Sequence, residues 1–455
     1  MTEKNQATDN DLSRGLTSRH VQMIAIGGAI GTGLFLGSGT AIKSAGPALI
    51  LAYLITGIFS YLMMRAVGEL LLSNTKLHSF IDFVREYLGN KWEFAIGWAY
   101  WLSWASLAMA DLTASGIYLR FWFPQLPQWV TPLIVVAILV GFNLVNVAWF
   151  GELESAFSSI KIFAIMALIV AGIGMIAVGF HTQGNTASLT NLVSHGGFFA
   201  TGGIGFILAF PMVIFAFTGI EMVGLTAGET KSPEKDIPKA INSVPLRILL
   251  FYVGSMIVIM SVYPWNEINA NQSPFVQVFS GLGIGYAANI INFVVLTSAL
   301  SAANSAIFST SRTLFILGKS GHAPKSFAKL SKSNVPYVGI LFSAIVFLGI
   351  VLLNYFYPSQ IFVLVTGVAT ISFIFVWIII MLTHIKYKRT NPNPHDKFKM
   401  PLFPASSYLT ILFYLAVLVV LMFNAETRVS VIATVIFFVA MIVGYVIYER
   451  KREAK

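Results

Sequence analysis

Apolar residues run along this chain in blocks of about the 17 to 25 needed for a helix to cross a bilayer, separated by short polar connections. Twelve such blocks stand near 21–43, 47–72, 93–119, 130–149, 155–180, 202–228, 246–264, 281–312, 336–354, 359–383, 403–424 and 429–448. The pattern predicts an all-α integral membrane protein of about 12 transmembrane helices. A single membrane domain at 21–448 is flanked by polar tails at 1–20 and 449–455, and the longest polar connections fall near 181–201 and 384–400.

Two blocks break their own pattern. The first contains IGGAIGTGLFLGSG at 26–39, with six glycines, although each weakens a helix by up to about 1 kcal/mol relative to alanine. The sixth contains FAFTGIEMVGLTAGE at 215–229. Five helices separate their starts, and an odd number inverts the second unit against the first. The reading is therefore two inverted repeats at about 21–180 and 202–383, with extra helices at 403–448. Paired interruptions of this kind point to a transporter binding site near the bilayer midplane. A break frees backbone N–H and C=O groups that lipid cannot satisfy, so they must face something polar. A zwitterion suits such a place, its carboxylate on a half-helix N-terminus and its ammonium on carbonyls. The alternative is that the glycines only allow close helix packing, which is the reading given to Gly37 and Gly39.

Composition supports the membrane reading: 56% of the 455 residues are hydrophobic and 11% charged, with a mean hydropathy of +0.77, against about 25% charged in a soluble domain. The formal charge of +10 is topological. Basic residues fall on alternating connections (Arg85 and Lys91; Lys235 and Lys239; Lys325 and Lys332; Lys386 and Arg389), whereas the opposite face has only Lys43, Arg120 and Arg428. That asymmetry places both termini in the cytoplasm and leaves little support for nucleic acid as a partner. No signal-peptide cleavage pattern precedes the first block. With no cysteine there is no disulfide or thiolate chemistry, and HExxH, GxSxG and P-loop motifs are lacking, so neither an enzyme, a nucleotide-driven pump nor a cofactor is indicated. His181, His195, His322 and His384 have no metal-ligand spacing. A channel would call for rings of charge or repeated carbonyl filters. A non-transporting sensor would call for a signalling extension, and the tails are short.

Ionisable residues inside the blocks are the remaining candidates. Lys161, at about +2.5 to +3.5 kcal/mol for mid-span insertion, needs a partner or cavity unless its long stem snorkels to the interface. Glu221 follows the second break by two residues. It either titrates with a transported proton or holds the break open by accepting freed N–H groups. Asp111 is similar. Arg65 and Glu69, one turn apart, read as an interfacial pair. SAANSAIFSTSR at 301–312 reads as close helix packing, with Ser305 or Ser309 lining the region near Lys161.

The segments LTSRHVQMIAIGGAIGTGLFLGSG (16–39), MRAVGELLLSN (64–74), FGELESAFSSIKI (150–162), FAFTGIEMVGLTAGETKSPEKDIPKAINSVPLRI (215–248) and NFVVLTSALSAANSAIFSTSRTLFILGKSGHAPK (292–325) resemble the bacterial amino acid transporter family of the amino acid, polyamine and organocation (APC) superfamily. The resemblance runs over nearly the whole chain. It is nearest the D-serine, D-alanine and glycine permease branch, although SAF stands at 155–157 where that branch carries FWF. L-serine and L-alanine stay as neighbouring substrates. A permease for L-threonine, GABA or proline is the further alternative.

The resemblance implies a LeuT-like 5+5 inverted repeat in a bacterial inner membrane. It places the substrate carboxylate at Gly31, Thr32 and Gly33, and the ammonium at the carbonyls of Ala29, Phe215, Ala216 and Thr218. Phe215, Phe217, Met222, Tyr100 and Ser305 become pocket walls or gates. Lys161 takes the place of the sodium ion of related transporters and loads and unloads a proton; Glu221 is carried beside it as a coupling candidate from its place after the second break alone. The partners implied are the amino acid, protons and the bilayer.

Overall fold

A computed structural model describes Met23 and residues 30–74, 77, 79–145, 147–182, 184–226, 232–281, 286–358, 360–391 and 398–453. Ala29, one of the predicted carbonyl donors, lies outside the described residues. The described residues form helices and connections without a strand, and the one isolated bridge joins His181 and Thr186.

Among the described residues, nine helical stretches are long and apolar enough to cross a membrane. The difference from twelve has identifiable sources. Gly37–Ser73 carries parts of the first two predicted blocks as one stretch, and Val130–Asn143 is a shorter helix. Asn90–Leu119 is a continuous 30-residue helix, but Trp, Ser, Thr and Tyr dilute its apolar content, and it stands outside the nine. The predicted connection at 384–400 is shorter than expected, because helix Ile361–Thr390 continues through its first residues.

The dilution is explained by position. Asn90–Leu119 packs most extensively against Ala287–Lys319 and Ile361–Thr390, and these three form the centre of the bundle. Ala287–Lys319 and Ile361–Thr390 are mostly buried along their apolar centres, whereas Ala405–Phe423 and Arg428–Ile447 are mostly not and present apolar side chains outward. A helix buried in protein rather than lipid tolerates hydroxyls, provided each finds an acceptor. Ser103 donates to the Ala99 carbonyl, Thr113 to Met109, and Thr310 to Ala306, all at 2.8 Å.

The basic end of the bundle is tied by buried ion pairs. Glu69 accepts from His384 at 2.9 Å, from Lys388 at 2.6 Å and from the Met400 backbone N–H at 2.7 Å. Arg65 instead donates to Asn242 and the Lys399 carbonyl and lies 3.6 Å over the Phe398 ring. The expected Arg65–Glu69 pair is therefore corrected. Glu69 is fully buried, and cross-helix partners replace the i, i+4 neighbour.

Candidate functional site

Both interrupted blocks are interrupted in the structure. In the first, Gly31 is extended (φ −130°, ψ −160°), helix resumes at Thr32–Phe35, and after a turn at Leu36 it continues as Gly37–Ala45. The Leu34 and Phe35 N–H groups bond back to the Gly31 carbonyl at 3.2 Å. The Thr32 and Gly33 N–H groups precede them as first-turn donors, which have no acceptor within a helix. In the second, Phe210–Phe217 ends at Thr218 and helix resumes at Met222–Thr226. Gly219 between them has φ +93°, a conformation that favours glycine.

The two breaks touch. A Cβ at Gly33 would lie 2.6 Å from Ala216 Cα and 2.9 Å from Ala216 N, so the absent side chain is what lets the backbones meet. Gly31 has more room, with Ala302 Cβ at 3.8 Å as its nearest neighbour. Gly37 and Gly39 pack as expected, the first against Met212 and the second against the Asn269 and Gln272 carbonyls.

A protein carboxylate stands at the first break. Thr32 Oγ1 donates to Asp111 Oδ1 at 2.7 Å, and Asp111 is fully buried. Asp111 Oδ2 has no hydrogen-bond partner. Lys161 adjoins the same cluster. Its side chain is 0% exposed, so it does not snorkel, and its Nζ lies 3.9 Å from Glu154 Oε1. Glu154 Oε2 accepts from Ser301 at 2.8 Å and Ser305 at 3.0 Å, and Ser158 contacts Oε1 at 3.4 Å. Ser158 also donates to the Met23 carbonyl at 3.0 Å, and Ser298 to the Ile30 carbonyl at 3.3 Å. Hydroxyls thus join the first block, Val147–Ala177 and Ala287–Lys319 around one buried charge cluster. Ser305 binds the carboxylate of that cluster, and Ser309 is buried nearby on the same helix.

Glu154 was missed by sequence reasoning. The available signal was its spacing: seven residues before Lys161 is two helical turns along one face.

The second break is already hydrogen-bonded. The Phe215 carbonyl accepts from Thr218 N–H at 3.2 Å and Thr218 Oγ1 at 2.7 Å, and the Ala216 carbonyl from Tyr252 at 2.9 Å. Each carbonyl has two lone pairs, so Ala216 keeps one for a further donor. Phe217 stacks on Tyr252 at 4.6 Å, and Phe215 meets Phe362 edge-on at 6.3 Å. Met222 is buried beside the break.

Glu221 closes the break on another side. Its Oε2 accepts from Trp377 at 3.1 Å, and the Gly219 and Glu221 backbone N–H groups and the Tyr100 hydroxyl face the same carboxylate. Tyr100 therefore belongs with Glu221 and not with Thr32. The structure thus brings Gly33 and Ala216 together, gathers Thr32 with Asp111 and Lys161 with Ser305, and sets Glu221 and Tyr100 in a separate aromatic surrounding.

A largely apolar helical bundle that buries Lys161, Glu154 and Asp111 beside an interrupted helix is a multi-pass integral membrane protein built around a polar site. Residues 20–455 match the amino acid permease family, and the chain belongs to it. It is 56% identical over 99% of its length to "Amino-acid permease AapA" of Bacillus subtilis, covering 98% of that protein. It is 48% identical to the "D-serine/D-alanine/glycine transporter" of Escherichia coli K12 over 98% of this chain and 96% of the other. To the "Probable threonine/serine transporter YbxG" of Bacillus subtilis it is 45% identical, over 97% and 96%. These relatives are transporters and not enzymes; the protein is an amino acid transporter of the APC superfamily.

Proposed function

We propose that the protein imports small neutral amino acids, among them glycine, D-alanine and D-serine, by proton symport across the cell membrane. Twelve crossings in two inverted repeats plus two helices, with both termini cytoplasmic, complete the reading, and alternating access comes from rocking of the interrupted helices against the rest. Relatives named for D-serine, D-alanine and glycine at 48% identity and for threonine and serine at 45% support small polar substrates.

The observation that carries the coupling is the 2.7 Å bond from Thr32 to Asp111. The first-turn donors of Thr32 and Gly33, with Gly31 beside them, are where a substrate carboxylate binds. Of the carbonyls assigned to its ammonium, those of Ala29, Ala216 and Thr218 take it, because the Phe215 carbonyl already accepts two bonds from Thr218. Asp111 stands over that same N-terminus, and two carboxylates share one site only when one of them is neutral. A proton on Asp111 therefore enters together with the zwitterion. Lys161, paired with Glu154, exchanges that proton in place of a sodium ion. Glu221 is assigned to hold the second break in shape, because its neighbours are N–H groups and aromatic rings and not a cation.

The test is uptake of labelled glycine, D-alanine, D-serine and the L-forms of the latter two into proteoliposomes under a proton or a sodium gradient. Accumulation under the proton gradient alone, abolished by a protonophore, is expected. Asp111→Asn is expected to bind substrate and equilibrate it but not concentrate it. Dependence on sodium would overturn the coupling, and concentrative uptake by Asp111→Asn at the wild-type level would remove Asp111 from it.

A further inference from the structure

One part of the helical stretch Pro233–Val262 departs from α geometry. Between the short helix Val244–Arg247 and helix Ser255–Val262, residues Ile248–Gly254 form a π-helix. Wide turns of this kind are rare and recur at functional sites. The local sequence favours this one in two ways. A Cβ at Gly254 would lie 3.3 Å from the Leu249 carbonyl oxygen five residues back, so glycine eases the approach that π pairing requires. The buried Ser255 hydroxyl then donates to the Phe251 carbonyl and, at 3.1 Å, to the Tyr252 carbonyl. Helix Leu49–Ser73 closes on the start of the wide turn, where a Cβ at Gly57 would meet Ile248 Cγ2 at 2.7 Å.

An extra residue in a turn rotates the side chains that follow by about 100° against a continuous α-helix. Tyr252, near the end of the wide turn, is the side chain this aims at the second break. Its buried hydroxyl donates to the Ala216 carbonyl at 2.9 Å, and its ring stacks on Phe217 at 4.6 Å with the planes 12° apart. Tyr53, on Leu49–Ser73, flanks the same ring at 5.4 Å.

Ala216 is the residue against which Gly33 closes, and it lies in the last turn of Phe210–Phe217, where carbonyls have no donor within the helix. Such a carbonyl turns with its peptide plane unless something outside holds it. The Phe215 carbonyl takes both its donors from Thr218, inside the break itself. The Ala216 carbonyl takes its donor from a different helix, so its direction is referred to the packed bundle. One lone pair is thereby fixed, and the other keeps its capacity for a cationic N–H.

Resting on the assignment of Ala216 to the substrate ammonium, we propose that Tyr252 is a positioning residue for the transported amino acid: the π-helical turn sets its hydroxyl on the Ala216 carbonyl, and that bond aims the carbonyl at the ammonium. Tyr252 does not touch the substrate side chain and has no part in the proton path through Asp111 and Lys161. Its loss therefore weakens binding of every amino acid substrate by the same factor and leaves turnover and pH dependence as they were.

The experiment is initial-rate uptake of labelled glycine and D-alanine into proteoliposomes, across a range of external pH, for wild type, Tyr252→Phe, Ser255→Ala and Tyr53→Phe. Tyr252→Phe keeps the stacked ring and removes only the hydroxyl. It is expected to raise KM about three- to tenfold, the scale of one hydrogen bond, equally for both substrates and with Vmax and the pH profile unchanged. Ser255→Ala loosens the wide turn while keeping the tyrosine; it is expected to raise KM about twofold in the same uniform way, and it carries the test should Tyr252→Phe not fold. Tyr53→Phe is the control, since the Tyr53 hydroxyl is buried in the same aromatic group and makes no hydrogen bond, and it should keep the wild-type KM. An unchanged KM in Tyr252→Phe, a fall in Vmax alone, or a rise confined to one substrate would overturn the assignment. So would an equal rise in Tyr53→Phe, which would mean a general loosening of the aromatic packing. Wild-type protein that takes up neither amino acid would instead overturn the transport reading, and this assignment with it.

Discussion

Glu154 and Glu221 are both fully buried carboxylates beside interrupted helices, yet their surroundings are opposite in kind. Glu154 has a cation at 3.9 Å and two serine donors at 2.8 and 3.0 Å. Glu221 has an indole donor at 3.1 Å, with the Gly219 and Glu221 backbone N–H groups and the Tyr100 hydroxyl facing it. Around Glu221 stand the buried side chains of Tyr100, Trp104 and Tyr414. The contrast teaches that burial alone does not mark a coupling residue. A charge that must come and go needs a partner of opposite sign and hydroxyls that hold its position through the change. A carboxylate among aromatic rings and backbone N–H groups meets a static need.

The largest effect separating the two regions is expected from Lys161→Ala. It leaves Glu154 and Asp111 buried without their cation, and removing one partner of a buried pair costs about 3–5 kcal/mol. Thermal denaturation of the purified protein should show the loss, together with abolished concentrative uptake. The double variant Lys161→Met, Glu154→Gln removes both charges and should recover much of the stability without recovering coupling. A Lys161→Ala protein as stable as wild type would mean that the pair is not a charged one.

Next in size is the same isosteric change made at both sites. Glu154→Gln keeps an oxygen for Ser301 and Ser305 but removes one of the two buried negative charges beside Lys161, leaving Asp111 as the other. Glu221→Gln keeps an acceptor for Trp377 and strands nothing. Glu154→Gln is therefore expected to cost about 2 kcal/mol more than Glu221→Gln. It should abolish accumulation while sparing exchange of internal for external substrate, and Glu221→Gln should keep the wild-type pH profile of uptake. Equal losses at the two sites would erase the distinction, and loss of pH dependence in Glu221→Gln would restore its reading as a coupling residue.

The breaks were legible because glycine and hydroxyl residues in an apolar block are a local signal, and backbone conformation at Gly31 and Gly219 answers to local sequence. The partners were less legible. Glu69 pairs with residues 315 and 319 positions away, and no helical spacing reports that. Glu154 was hidden because it lies near the start of its helix, where a charge is normally solvated; helix Ala287–Lys319, which only the fold brings there, supplies the serines. Asn90–Leu119 illustrates the reverse. Its diluted apolar content weakens it as a membrane span, and the same content makes it the inner wall of the site.

The smallest expected effect tests the hydroxyl half of the contrast. Ser301 and Ser305 lie one turn apart on one helix face and bond the same oxygen of Glu154. Ser305→Ala removes one of two donors to a charged acceptor, a loss of about 1.5–3 kcal/mol when the acceptor cannot turn elsewhere and less when it can. Because Ser301 remains on the same oxygen, the single change should sit at or below the bottom of that range, and removing both serines should cost more than the sum of the single losses. That excess, read as a coupling energy from the four proteins of a double-mutant cycle, arises because the second removal leaves a buried charged oxygen with no donor. Simple additivity would mean that each serine bonds elsewhere when Glu154 is lost to it, and that the serines pack the two helices without holding the carboxylate for Lys161.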